Sequence, residues 1–295
     1  MKTAVDVVMC TYNSRRRGLL SLALKSIKDY VPLHRLIVID RYSNDDTVEL
    51  VEQLFPDNSI VVRTDANIAH ARYLGIKLVE TECFAFIDDD AVILPHWWQT
   101  LYKYMMPNVG AVEGSYIQLP DVRESLHDCL RTSSTSTDSL KRRLSIKELT
   151  RRDIIIHGLN PVRSVLSNSV IIRREAVVDW RPQQRKAGAY EDYLITQHVI
   201  SKGFRWIVVD KPVALHGAPP KDKLSKLRSS IRKGLWEGAG IKHTGIAVDF
   251  IALYSLSRLG GALIKLFKDK DVYNLAMRLA FLLSLPSDRY LSPTR

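Results

Sequence analysis

Cysteine is scarce in this chain of 295 residues: there are three, at positions 10, 83 and 129. Thiols so few and so scattered supply neither a disulfide framework nor a zinc site. They read as buried or idle groups of a protein kept in a reducing compartment. Long hydrophobic runs are missing as well. No window reaches eighteen uncharged apolar residues, which excludes an ordinary transmembrane helix. The first apolar run, Val5 to Met9, contains Asp6, so it reads as an opening strand and not as a secretory leader. A cytoplasmic chain is therefore expected. Helix-turn-helix, zinc-finger and RNA-recognition signatures are also lacking, which sets nucleic acid aside as the partner.

What is there is an ordinary globular mixture, 46% apolar and 25% charged. It is long enough for one large domain, with or without an appendage. The net charge of +11 calls for an anionic partner. That charge is unevenly placed: from Pro219 to Arg295 there are 14 Lys and Arg against 6 Asp and Glu, and the rest is nearly balanced. The helix-breaking pair Pro219-Pro220 marks the change and sets a boundary between 1–218 and 219–295.

Within the first part, short β-branched or aromatic runs at 5–9, 36–40, 60–63 and 84–88 alternate with amphipathic stretches at 19–30, 45–55 and 69–79. The runs predict buried strands and the stretches helices, the second of them capped from Ser43-Asn44-Asp45-Asp46. Such alternation argues for a mainly parallel sheet flanked by helices, with ligands at the carboxyl ends of the strands. An irregular segment at about 121–162 carries a Ser/Thr run and Lys141-Arg142-Arg143 and reads as an insertion. Regular structure resumes at 169–173, 191–201 and 205–209. After Pro220 the pattern is helical, at 222–233, 246–267 and 272–285. The last two stretches are apolar but interrupted by Asp249, Arg258 and Lys265. Basic amphipathic helices of this kind either lie in a membrane interface or pack on the main domain or a second subunit.

Asp88-Asp89-Asp90 ends the apolar run Phe84-Ala85-Phe86-Ile87. Three adjacent carboxylates at the end of a buried strand repel one another unless a cation or solvent relieves them. Alternate residues of an extended chain share a face, so Asp88 and Asp90 can address one ligand. Hard oxygens suit Mg²⁺ or Mn²⁺, ions that commonly also bind substrate phosphate. Other strand ends carry Thr11-Tyr12-Asn13, Asp40, Asn67 and Arg72. Together these could line one pocket, the tyrosine stacking on a base and the arginine meeting a phosphate.

In this order the motifs resemble those of the family 2 glycosyltransferases, whose nucleotide-diphospho-sugar-binding fold is called GT-A and is Rossmann-like. Val8-Met9-Cys10-Thr11-Tyr12-Asn13 is similar to the opening strand and turn. The segment from Ile37 to Thr47 is similar to "VVDNGSTDGT", and that from Asn67 to Gly75 to "N-x-G-x-A-x-A-R-N-x-G", with Ala69 and Tyr73 as departures. Phe86 to Asp90 then holds the Asp-x-Asp motif. Ser167-Asn168-Ser169 resembles "G-x-N" with its glycine lost, Glu191-Asp192 the acidic pair on the acceptor side, and His216 the histidine that closes the metal site. The likeness covers roughly Val5 to His216, and its weight lies in seven motifs in order, not in any one.

The resemblance implies a metal-dependent inverting transfer of a sugar from a nucleoside diphosphate donor, UDP being the preferred guess, to a hydroxyl acceptor. Thr11, Tyr12, Asn13, Asp40, Asn67, Arg72, Asp88 and Asp89 would serve the nucleotide. Asp88, Asp90 and His216 would hold Mn²⁺ or Mg²⁺. Asp192 would be the base, with Glu191 the second catalytic acid. The cation offsets charge on the leaving diphosphate, and the carboxylate takes the acceptor's proton. Both acids also suit a helix N-terminus, so capping is the competing role. The Gln-x-x-Arg-Trp motif of processive synthases is absent, since Arg232 and Trp236 are four apart. This favours limited transfer. The basic, apolar tail favours a lipid-linked glycan as acceptor, with the chain peripheral on the cytoplasmic face of a membrane. Polyprenyl phosphate is the alternative acceptor, and a non-catalytic membrane- or nucleic-acid-binding protein the alternative of another class. The notable basic stretch Arg15-Arg16-Arg17-Gly18 has too few glycines for a nucleotidyltransferase loop. An oligomer is compatible with all of these readings.

Overall fold

The computed structural model describes residues 4–119, 146–150, 153, 169–182, 189–217, 222–241, 244, 246 and 248–285. Most of the 121–162 insertion, the Ser167-Asn168 pair and the Pro219-Pro220 boundary lie outside these residues. So do Cys129 and Lys141-Arg142-Arg143.

The chain first builds β1 (Val5–Thr11), α1 (Leu20–Tyr30), β2 (Leu33–Asp40), α2 (Thr47–Leu54), β3 (Ser59–Arg63), α3 (Ile68–Leu78) and β4 (Cys83–Ile87). It continues with β5 (Ala91–Ile93), α4 (Trp97–Tyr102), β6 (Val109–Leu119), β7 (Ile146–Glu148) and β8 (Ser169–Arg173). Then come α5 (Glu191–Ser201), β9 (Arg205–Gly217), α6 (Lys223–Ile241), α7 (Val248–Asp269) and α8 (Val272–Ser284).

The described strands form one sheet in the order β3-β2-β1-β4-β8-β6-β9-β5, with β7 also paired to β9. From β3 to β4 every pairing is parallel, as the strand–helix alternation predicts. Beyond β4 the sheet is mixed. β8 lies antiparallel between β4 and β6, and β6 runs parallel to β9. The long β9 carries β7 against its first half and β5 against its second, both antiparallel. Its register against β6 shifts around Pro212, where a missing amide is tolerated at an irregularity.

Period-two alternation explains how this sheet is filled. Val7 and Met9 of β1 face one side with Leu20, Leu24 and Ile27 of α1 and Trp97 of α4. Val8 faces the other side with Ile37, Ile39, Phe84, Phe86, Ile76 of α3 and Val199 of α5. Each such side chain, fully removed from water, stabilises the fold by about 1.5–3 kcal/mol. Gly75 lets α3 approach β1 closely: a Cβ there would lie 2.3 Å from Val8 Cγ1.

Two sequence expectations change. Part of the insertion is regular, because Ile146–Glu148 forms β7 and Leu149 is buried. The residue at the cap position of α2 does not cap it. Asp46 sits at φ 58 with no side-chain cap bond. Asp45 instead accepts from the Arg16 amide at 2.9 Å and from Thr47 Oγ1 at 2.5 Å. Thr47 Oγ1 in turn accepts from the Ser14 and Arg15 amides at 3.0 and 3.1 Å. These groups satisfy the short 3₁₀ turn Arg15–Arg17 that follows β1.

Candidate functional site

The carboxyl ends of β1, β2 and β4 and the start of α3 open onto one cleft of about 410 Å³, within the range of small-ligand sites. Its floor begins with Thr11. The Thr11 hydroxyl donates to Asp40 Oδ1 at 2.8 Å. Asp40 has no exposed surface and also accepts from the Ser43 amide at 2.8 Å and the Ser43 hydroxyl at 2.5 Å. Arg63 Nε lies 3.5 Å from it. Asn13, at φ 48, accepts from the Asn44 amide at 2.9 Å and gives its own amide to Ser43 Oγ at 2.8 Å. Asp40 and Asn13 therefore fix the loops behind the cleft instead of lining it. Thr11 and Tyr12 line it, and Tyr12 is 54% exposed with the Arg41 guanidinium 5.9 Å from its ring centre.

At the far side, alternation separates the acidic triplet as anticipated. Asp88 and Asp90 meet His216, and one ligand atom from each lies within 4.8 Å of the others. The β5–β9 register causes this, since Ala91 pairs with His216 and sets the imidazole beside the preceding Asp90. His216 Nε2 is 3.2 Å from Asp90 Oδ1. Asp89 turns the other way, accepting from the Ser14 hydroxyl and pairing with Arg17. Arg17 Nη1 also lies 3.7 Å from Asp90.

Burial pushes the Asp88 carboxyl above its ordinary range, with Arg72 pulling it back. Burial likewise pushes Asp89 up to about 7 against the pull of Arg17. His216 shifts upward, because the hydrogen bond to Asp90 and the neighbouring carboxylates outweigh its burial. Crowded acids sharing an imidazole and an arginine form a set that a cation would relieve. Two hard carboxylates with one imidazole fit Mn²⁺ and, less strongly, Mg²⁺.

Arg72 joins this side of the cleft to α5. Its Nη2 lies 3.4 Å from Asp88 Oδ1 and 3.7 Å from Glu191 Oε1, and its guanidinium sits 5.1 Å from the Phe86 ring centre. Arg72 Nη1 and Arg17 Nε are buried with no hydrogen-bond partner among the described residues. Such orphaned donors beside a cleft suit an anion, and the diphosphate of a nucleotide is of that kind. Asn67 lines the cleft while capping α3, its Oδ1 accepting from the His70 amide at 3.0 Å.

Glu191 enters the cleft from the first turn of α5, directly after Tyr190, which is held at φ 63. Burial drives the Glu191 carboxyl up to about 8, against the pull of Arg72 and with a push from Asp192. Asp192 stands beside it, half-buried, and its Oδ1 accepts from the Tyr193 amide at 2.7 Å. Sequence reasoning did not assign Ser14, Arg17, Cys10 or Trp236 to the site. Trp236 completes the lining from α6, a helix expected to stop near 233. Its indole had no spacing motif to mark it. Arg17 belonged to the basic run Arg15-Arg16-Arg17-Gly18, which the sequence offered only as a nucleotidyltransferase loop with too few glycines.

Comparison with known proteins adds the following. Residues 6–157 match the family model described as "Glycosyl transferase family 2". A glucosyl-dolichyl phosphate glucuronosyltransferase of Haloferax volcanii is 34% identical over 123 residues, which are 40% of this chain and 39% of that protein. The match thus spans about two fifths of that relative's length. Among solved structures, the mannosyltransferase PcManGT from Pyrobaculum calidifontis, in complex with GDP-Man and Mn²⁺, superposes with a TM-score of 0.58. The two are 16% identical over 97% of this chain and 87% of that one. S. aureus TarS 1-349 gives 0.56 at 16% identity, over 96% of this chain and 81% of that one. Mycobacterium tuberculosis glucosyl-3-phosphoglycerate synthase, with Mn²⁺, UDP and phosphoglyceric acid, gives 0.52 at 17%, over 83% and 80%. At these identities the structures establish a shared fold.

Proposed function

The chain belongs to glycosyl transferase family 2, and from that premise we propose that it moves a sugar from a nucleoside diphosphate donor, a UDP-sugar in preference, to a hydroxyl of a lipid-linked glycan. The observation that carries this reading is the convergence of Asp88, Asp90 and His216 beside the orphaned donors of Arg72 and Arg17 in a single cleft. The Haloferax relative, named for a glucosyl-dolichyl phosphate substrate, supports an acceptor that is a saccharide on a lipid.

Asp88, Asp90 and His216 would hold Mn²⁺ or Mg²⁺, which when bound offsets charge on the leaving diphosphate. The rest of the work falls to the chain. Thr11, oriented by Asp40, and Tyr12 receive the nucleoside. Arg72 and Arg17 meet the diphosphate oxygens as the glycosidic C–O bond breaks. The acceptor oxygen attacks the anomeric carbon from the opposite face, which inverts the configuration, and its proton passes to Asp192. Glu191 is the weaker base candidate: burial raises its carboxyl pKa and so favours the protonated form, which donates a hydrogen bond instead of taking a proton. We assign the donor half of the reaction to 1–218 and the acceptor side to its junction with 219–295.

The test has two stages. Calorimetry with UDP, GDP, CDP and dTDP, each with Mn²⁺, Mg²⁺ or EDTA, is expected to give metal-dependent binding of one nucleotide, lost in Asp90→Asn. With the donor so defined, Asp192→Asn is expected to lower turnover by about 10²–10⁴-fold while leaving nucleotide affinity unchanged. No binding of any nucleotide by folded protein would overturn the assignment. Full turnover by Asp192→Asn would move the base to another residue.

A further inference from the structure

The helix α7 is apolar on the side it turns to solvent. Ile251, Ser255 and Ala262 lie on its buried side. A period of 3.6 residues then places Leu253, Leu256, Gly260, Leu263, Ile264 and Phe267 on the opposite side. All six are exposed, Leu253 at 69% and Phe267 at 84%. The following helix repeats the pattern: Val272, Leu279 and Leu283 share one face of α8 and are exposed, Leu283 at 73%. A surface rarely carries so many large apolar side chains together unless something covers them.

The fringe of this surface is cationic. Lys265, Lys268 and Lys270 are exposed along and beyond the end of α7, with only Asp269 among them. The helix α6 exposes Lys223, Lys226, Arg228, Arg232 and Lys233, together with Leu224 and Ile231. It runs alongside α8 in the same direction. Lys226 Nζ lies 4.4 Å from the Tyr273 ring centre, and a Cβ on Gly234 or Gly238 would strike Met277 or Ser284 and Phe281.

We propose that the exposed face of α7 and α8 docks on an anionic lipid bilayer, the apolar rows entering the headgroup boundary and the lysines and arginines meeting lipid phosphates. Apolar burial and attraction to anionic headgroups act together in such helices. A second copy of the chain fits less well, since an isologous contact would bring the same cationic fringe against itself. The helices that carry this face pack against the wall of the cleft, Ile251 of α7 and Phe281 of α8 being buried with Tyr190. Gly240 of α6 seats on Ala189 and Tyr190, directly before Glu191, and Trp236 lines the cleft itself. Docking would therefore hold the acceptor side of the cleft near the bilayer. The proposal rests on the lipid-linked acceptor for its purpose, but its test needs no acceptor.

The full chain is floated with phosphatidylcholine vesicles, with and without phosphatidylglycerol, at low and high salt. Binding of UDP with Mn²⁺ and the melting temperature are measured in parallel without lipid. The expected result is at least tenfold stronger partition onto the phosphatidylglycerol vesicles, weakened by salt. The variant Leu256→Ser/Ile264→Ser/Phe267→Ser is expected to lose at least tenfold of that partition, with its melting temperature and nucleotide binding unchanged. Failure of the wild-type chain to float, or equal flotation of the variant, would overturn the proposal. So would a dimer in sedimentation velocity that the variant dissolves while vesicles are ignored. Flotation without any nucleotide binding would instead sustain the docking face and overturn the transferase reading.

Discussion

Asp6 offers a quantitative test of how the sheet is held together, away from the cleft. It lies near the start of β1 with no exposed surface. Its Oδ2 accepts from the Glu80 and Thr81 amides at 2.7 and 3.3 Å and from Arg35 Nη2 at 3.3 Å. Its Oδ1 accepts from His34 Nδ1 at 2.8 Å and Arg35 Nε at 3.3 Å. One carboxylate thus ties β1 to the start of β2 and to the chain entering β4. Burial alone would raise its pKa, but these donors outweigh burial and leave it below the ordinary value. Asp6→Asn keeps one acceptor oxygen and turns an amide NH₂ toward donors. Breaking a buried ion pair on one side costs about 3–5 kcal/mol. Arg35 keeps the Leu78 carbonyl at 3.1 Å and Glu80 at 3.0 Å as partners, so the lower end, about 3 kcal/mol, is expected. For a domain of this size that lowers the melting temperature by roughly 5–10 °C. The pH dependence has a definite sign. A carboxyl with a depressed native pKa contributes its stability in full above the unfolded value near 3.9, and loses it as pH falls through the native value. The deficit of Asp6→Asn, from urea titrations at pH 7, 5 and 4, should therefore be constant from pH 7 to 5 and narrow below that. A deficit under about 1 kcal/mol at pH 7, or one that widens in acid, would refute the account.

Other perturbations separate the remaining parts. Arg17→Ala should weaken UDP binding in Mn²⁺ about tenfold, near 1.4 kcal/mol, while Mn²⁺ alone binds no more weakly, as two calorimetric titrations would show. His216→Ala should narrow the preference for Mn²⁺ over Mg²⁺, because imidazole favours the former; an unchanged ratio in competition titrations would remove His216 from the ligand set. Gly238→Leu should destabilise the packing of α6 on α8 by about 1–3 kcal/mol or more, since its Cβ would stand 2.4 Å from the Phe281 carbonyl oxygen. Gly260→Ala, with nothing within 4 Å, should be neutral or stabilise α7 by up to about 1 kcal/mol. Thermal melts of the two glycine variants side by side check the contrast.

The half of the sheet that could be read from sequence is the half whose strands are short, apolar and joined through helices. Val5 to Met9 and Phe84 to Asp88 show that pattern without ambiguity. What escaped detection has a different origin. The strand β8 was visible as an apolar run, but nothing local says that it enters antiparallel between β4 and β6. The pairing of β5 with β9 is non-local too, and it alone decides that His216 stands by Asp90. The acids of Ser43-Asn44-Asp45-Asp46 look like a cap for α2 because capping signals are local. Asp45 is used instead on the Arg16 amide of the Arg15–Arg17 turn, about thirty positions earlier. Among the candidate site residues, the shared side of Asp88 and Asp90 was legible from strand alternation. Asp40 was legible as a strand-end acid, yet its burial beneath Thr11 depends on how the loops close over it.

The acceptor side shows how far a cleft can depend on packing that no motif encodes. A tyrosine in the left-handed region, as Tyr190 is at φ 63, costs on the order of 1–2 kcal/mol. It persists because its surroundings leave no alternative. Ala189, Tyr190, Tyr193 and Leu194 are buried in one cluster with Ile241, Ile251 and Phe281 of the last three helices. Gly240 lets α6 come so near that a Cβ would lie 2.5 Å from Ala189 Cβ. That turn aims Glu191 at Arg72 and sets Asp192 beside it. Trp236, one helical turn before Gly240, closes the cleft on the same side. The strand ends can therefore present Thr11, Asp88 and His216, proposed to serve the donor and its metal, from the sheet alone. The carboxylate proposed as base takes its place only when the C-terminal helices are docked, and the surface proposed to meet lipid belongs to those same helices. The proposed docking then reaches the proposed acceptor side without a moving part, because the helices that would dock are packed through one cluster onto Tyr190.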